Sequence, residues 1–310
     1  MTSKFNQNKI TTSDLKNLLV EKSETVLIDL LSPEHFAIRH IPGAQNICLF
    51  YASFLDDIAV AIPNKQVPIV VYGAGPKSQD TATAIEKLNR VGYENVTFLE
   101  GGIEAWCEAG YDLEGEAPAQ KVDPQTIVTI HDGQYTVDAN ASQVEWAGRN
   151  PNTRHFGTVD IVKGVIDSKN NTITGTVEID MNTIHNNNLE GDELQPVLES
   201  HLKSDDFFFT KMFPKAVFTI KEAKRIEPGW LTVPNYHVKG ELNLRGVSAE
   251  LEFDATVGLI NDGQLAIEAH FDMDRTRWNV IYGSTRFFEH LGMHKVFDLI
   301  SFQIRMIASR

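Results

Sequence analysis

At 310 residues with 42% apolar side chains, the chain is long enough for about two domains, each with a real core. Its net charge of −14 divides evenly, −7 over residues 1–118 and −7 over the rest, which argues against nucleic acid and against electrostatic docking on anionic headgroups. No run approaches the roughly 18 apolar residues that span a bilayer, and the polar stretch Met1 to Asn8 lacks the apolar core of a signal peptide.

In chain order, Val26-Leu27-Ile28-Asp29 reads as a short apolar strand, and Ser32-Pro33-Glu34 opens a helix. The turn His40-Ile41-Pro42-Gly43-Ala44 follows, then Cys48 in a short apolar stretch. Val70-Val71-Tyr72 is a buried strand that runs into Gly73-Ala74-Gly75-Pro76-Lys77-Ser78, with a helix expected to open at Ser78. Such a loop points backbone N–H groups at one spot and adds the positive end of a helix dipole, a cradle for an anion or a thiolate. Gly92-Tyr93, Leu99-Glu100-Gly101-Gly102 and Ala105-Trp106-Cys107 complete the segment. Strands alternating with helices predict a parallel sheet covered by helices.

Over residues 10–113 these four motifs, in this order, resemble the rhodanese-like family. In active members the residue after the strand is a cysteine that carries a persulfide, and here that position is Gly73. The resemblance therefore implies an inactive module, with Gly73, Ala74, Gly75, Pro76, Lys77 and Ser78 as a vestigial loop and no catalytic residue. Cys48 and Cys107 are too few for a disulfide framework and read as reduced, mostly buried thiols in a cytoplasmic protein.

The polar, proline-bearing stretch after Glu114 reads as a linker, giving a domain over 1–117, a linker over 118–133 and a second domain over 134–310. Beyond it, period-2 alternation takes over. Val177, Ile179 and Met181 face away from Glu178 and Asp180, and Leu251, Phe253 and Ala255 from Glu250, Glu252 and Asp254. Turn signals at Lys169-Asn170-Asn171, Arg245-Gly246 and Asn261-Asp262-Gly263 make the strands antiparallel neighbours. Strands with one apolar face and little helix predict a sandwich or closed barrel. The inward residues mix large and small side chains, which suits either a packed core or a tunnel.

Tyr135-Thr136-Val137-Asp138, the block His201-Leu202-Lys203-Ser204-Asp205-Asp206-Phe207-Phe208, and the tail Asp274-Arg275-Thr276-Arg277-Trp278-Asn279 resemble the YceI-like family over about residues 134–308. That resemblance implies a lipocalin-like antiparallel barrel of roughly eight strands enclosing a tunnel for a long isoprenoid chain, a polyprenyl quinone or polyprenyl phosphate. The lipid-lining residues it implies are Val177, Ile179, Phe218, Ile220, Leu242, Leu244, Leu251, Phe253, Ile267, Ala269, Phe271, Phe302, Ile304 and Met306. Arg275, Arg277 and Arg286 are candidates for a polar head group, against the alternative of pairing with Asp272, Asp274 and Glu289.

The remaining clusters read more blandly. Asp205-Asp206 fits a turn or cap rather than an acid–base pair. His290 and His294 have the i, i+4 spacing of helical zinc ligands, but no third ligand stands at motif spacing, so no metal and no cofactor are expected. The function expected is a non-enzymatic carrier of a long-chain isoprenoid lipid, fused to an inactive rhodanese-like module that docks a protein partner or regulates. The alternative is a sulfurtransferase whose nucleophile has moved to Cys48 or Cys107. A further reading has the empty cradle, with Lys77 nearby, binding an anion.

Overall fold

The computed structural model describes residues 8–21, 24–261 and 263–310, so most of the Met1–Asn8 stretch and Asp262 of the third turn lie outside the described residues. Two units follow one another, 1–123 and 124–310.

In the first unit, β1 (Lys9–Ile10), α1 (Thr12–Val20), β2 (Val26–Asp29), α2 (Pro33–Ile38), β3 (Gln45–Asn46), α3 (Phe54–Ala61), β4 (Ile69–Tyr72), α4 (Asp80–Arg90), β5 (Val96–Leu99) and α5 (Gly102–Glu108) alternate as expected. The sheet is parallel, in the order β1-β5-β4-β2-β3. Its central strand β4, Ile-Val-Val-Tyr, is buried along its whole length because both faces are covered. Ile69 and Val71 of β4 enter one core with Ile28, while Val70 and Tyr72 enter the other with Leu27 and Trp106. Thr11 and Ser32 cap α1 and α2 by accepting the Asp14 and His35 N–H groups. The helix after the glycine loop starts at Asp80, two residues later than Ser78, because the Ser78 N–H still closes a turn on the Gly75 carbonyl at 3.1 Å.

The second unit is a closed antiparallel barrel. It is built from β6 (Gly133–Val137), β7 (Gln143–Arg149), β8 (Arg154–Lys169), β9 (Thr172–Asn186), β10 (Lys215–Arg225), β11 (Tyr236–Leu244), β12 (Val247–Asn261), β13 (Gln264–Asp274) and β14 (Leu299–Ser309). Strands β7 to β14 each pair with the next, and β14 returns to β7, so eight strands close the ring. Strand β6 also pairs with β8 and β14, extending the position that β7 occupies. The β8–β9 and β11–β12 hairpins turn through Asn170-Asn171 and Arg245-Gly246, all four at positive φ, as a two-residue hairpin turn that matches strand twist requires. Helix α6 (Gln195–Lys203) interrupts the β9–β10 connection. Part of the segment read as linker belongs to this unit: Val128 and Ile130 are buried in the barrel core, and Val128 N–H donates to the Gly229 carbonyl.

Candidate functional site

The glycine loop leaves the carboxyl end of β4, the usual position of a site in an open parallel sheet. Gly73 is buried, and a Cβ built on it would fall within the Asp80 carboxylate. Asp80 is itself 4% exposed. Its Oδ2 accepts the Ala74 N–H at 2.8 Å and its Oδ1 the Thr81 N–H at 2.7 Å, so an internal anion takes loop and helix N–H groups at once. The cradle is therefore not empty, which corrects the reading of a vacant anion pocket. Lys77 is exposed on the loop.

Behind the loop Asp29 is fully buried. Its Oδ1 accepts the Leu31 N–H at 2.8 Å, while Oδ2 has no hydrogen-bond partner among the described residues. Burial pushes this carboxyl up to about 6, only partly offset by the neighbouring Tyr72 hydroxyl, the Leu31 N–H and His40. Cys48 is buried and Cys107 half-buried on α5; both are free thiols and neither belongs to the loop.

Inside the barrel a cavity runs in two lobes of about 310 Å³ and about 120 Å³, and Val144, Ile179, Leu242, Met273 and Phe302 line both. All fourteen inward residues named from the sequence line one lobe or the other. Alternation explains this: β11 sends Val238, Leu242 and Leu244 inward and leaves Lys239 and Asn243 outside. The deep lobe is walled by an aromatic ladder. Phe253 stacks on Phe271 at 4.3 Å between centroids, with Phe218 at 5.6 Å from Phe253 and Phe302 at 5.7 Å from Phe271. The wider lobe is roofed by Leu198, His201 and Leu202 of α6 and by the segment 293–297.

The three arginines proposed for a head group are held by the protein itself. Arg275 lines the wide lobe but is 1% exposed. It donates to the carbonyls of Val280, Tyr282, Val296 and Phe297, tying the 280–297 segment to the barrel. Arg286 pairs with Asp274 and Asp298, both at 2.8 Å, and Arg277 lies over the Trp278 ring; neither lines the cavity. Trp278 is buried and donates its indole N–H to the Leu242 carbonyl at 2.7 Å, whereas Phe287 and Phe288 stay about half exposed.

Asp206 pairs with His201 at 3.1 Å and its N–H donates to the Ser204 hydroxyl, the local role expected of a turn. His290 sits at positive φ ahead of a 3₁₀ turn over Gly292–His294, so it and His294 share no helical face. Among the described residues no group of three or more His, Cys, Asp or Glu is gathered for a metal. Nor is any helix among them long and apolar enough to cross a membrane.

Sequence reasoning missed Asp80, and it missed Arg149 and Lys295, which line the wide lobe. Only an acidic residue in the first turn of α4 hinted at the first.

Comparison with known proteins agrees with this architecture. Residues 135–308 match the model of the YceI-like domain, and residues 11–109 that of the rhodanese-like domain. The probable adenylyltransferase/sulfurtransferase MoeZ of Mycobacterium tuberculosis is 28% identical over 99 residues, 32% of this chain and 24% of that protein. The adenylyltransferase and sulfurtransferase UBA4 of Candida albicans is 26% identical over 113 residues, 36% of this chain and 25% of that protein. The chain thus spans about a quarter of the length of these curated relatives. Among solved structures, BcnA of Burkholderia cenocepacia is 17% identical, with a TM-score of 0.41, over 56% of this chain and 99% of that one. A polyisoprenoid binding domain from Saccharophagus degradans is 14% identical, with a TM-score of 0.43, over 58% and 99%. With more than half its length matched, the chain belongs to the YceI-like domain family, and a rhodanese-like domain precedes that domain.

Proposed function

We propose that this protein is a non-enzymatic carrier that shelters one long-chain isoprenoid lipid in its barrel. The observation that carries the reading is the two-lobed cavity walled by the fourteen inward residues. A slender prenyl chain gains about 0.8 kcal/mol for each CH₂ it buries, so a tail of a few units binds firmly without a specific polar contact. The aromatic ladder of Phe218, Phe253, Phe271 and Phe302 offers flat faces along that path.

The rhodanese-like half serves in this reading as a docking or regulatory module for a protein partner rather than as a sulfurtransferase. Gly73 supplies no nucleophile, and the Asp80 carboxylate stands where a side chain would project. A relocated nucleophile is disfavoured because Cys48 is buried and Cys107 lies outside the loop. Two free thiols support a reducing, cytoplasmic setting.

Mass spectrometry of organic extracts from the gently purified full chain tests the carrier reading. The expected result is one prenyl lipid per protein. A chain that stays empty after incubation with polyprenyl quinones and phosphates would contradict it.

A further inference from the structure

The cavity mouth has a charge pattern at odds with the rest of the molecule. In a chain of net charge −14, no aspartate or glutamate among the described residues lines the wide lobe, whereas Arg149, Arg275 and Lys295 do, with His155, His201 and His294. Arg275 is committed to four carbonyls and lies 3.7 Å from Asp298, so its charge and donors are already answered. His201 has Asp206.

Arg149 and Lys295 differ. Arg149 makes one side-chain hydrogen bond, to the Ser301 hydroxyl at 2.9 Å, and among the described residues has no carboxylate at ion-pair distance. The exposed Lys295 ammonium has neither an ion pair nor a hydrogen bond among them. The two flank one opening, because the Phe297 N–H donates to the Arg149 carbonyl at 2.9 Å and lays the 295–297 segment along the end of β7.

We infer that the ligand is an anionic amphiphile, its phosphate or carboxylate head held at the mouth by Arg149 and Lys295 and its tail in the deep lobe. This deepens the carrier reading and rests on it. A neutral carbonyl or hydroxyl needs only one donor. It gives no reason for a wall that carries two cations without an ion pair and, among the described residues, no acid. A guanidinium suits a phosphate or carboxylate bidentately, and a lysine adds a mobile point charge. The low-dielectric wall of the cavity strengthens the hold of the half-buried guanidinium.

Titration of the full chain with geranylgeranyl phosphate and with geranylgeraniol, at low and high salt, tests this. The phosphate should bind at least about tenfold more tightly than the alcohol at low salt, with the preference shrinking as salt rises. Arg149→Met with Lys295→Met should abolish the preference, lowering the affinity for the phosphate towards that for the alcohol. Should that double variant misfold, the salt dependence in the unaltered chain decides alone. Equal affinities for the two probes, or a preference indifferent to salt, would overturn the inference and leave the carrier reading standing. Binding of neither probe would overturn both.

Discussion

The Asp80 carboxylate occupies the space into which any side chain at Gly73 would project, and it holds the Ala74 and Thr81 N–H groups that would otherwise face that space. The two residues are complementary: a small residue at 73 admits the carboxylate, and the carboxylate satisfies the loop. A nucleophile restored at 73 therefore meets an obstacle as well as an environment already neutralised.

Gly73→Cys alone is accordingly expected to lower the melting temperature, by an overpacking cost of about 1–3 kcal/mol, and to give no thiosulfate-to-cyanide transfer. Adding Asp80→Ala should restore stability and free the loop N–H groups for a persulfide, with turnover above background. Turnover in the single variant would show that Asp80 does not close the cradle, and turnover in the unaltered chain would point to a nucleophile at Cys48 or Cys107.

Asp29 gives the first unit a pH dependence of definite sign. Its carboxyl is held near 6 in the folded chain against an ordinary 3.8, so the native state keeps a proton that the unfolded chain releases. Stability from this group is complete below the ordinary value and falls as pH rises towards and through about 6. Asp29→Asn should therefore gain on the parent across that window, by up to about 3 kcal/mol. Hydrogen exchange of the Val70 and Val71 amides in β4 reads the difference. A gap between variant and parent that is constant with pH would contradict this assignment.

Arg275 is a knot rather than a head-group ligand. Arg275→Leu leaves the carbonyls of Val280, Tyr282, Val296 and Phe297 without their donor and should cost about 3 kcal/mol or more. Arg275→Lys should recover little, since one ammonium cannot span four carbonyls. Thermal melts check both variants, and a neutral effect of Arg275→Leu would show that other contacts hold the 280–297 segment.

What could be read beforehand follows from how local each signal is. The barrel's inward face was legible because period-2 alternation, as in β9 and β12, is written residue by residue. The turns at Asn170-Asn171 and Arg245-Gly246 were legible because they need residues at ease with positive φ. That position 73 carries no side chain could be read from the sequence alone. Asp80 could not, because its role depends on how the loop folds back, seven positions from Gly73. The arginines show the same limit: charge is visible in sequence, but the carbonyls that engage Arg275 and the acids that engage Arg286 are assembled only by the tertiary fold. Lys295 stands out only once the cavity wall is known.

The most direct measurement is a titration of the full chain with a long-chain prenyl ligand, followed by the fluorescence of Trp146, which lines the wide lobe. Ala269→Phe, filling the deep lobe with the protein's own side chain, serves as the control. Saturable one-to-one quenching in the parent, weakened at least about tenfold in a variant that melts no lower, is the expected result. Equal quenching in both, or none in either, would contradict a ligand-bearing barrel.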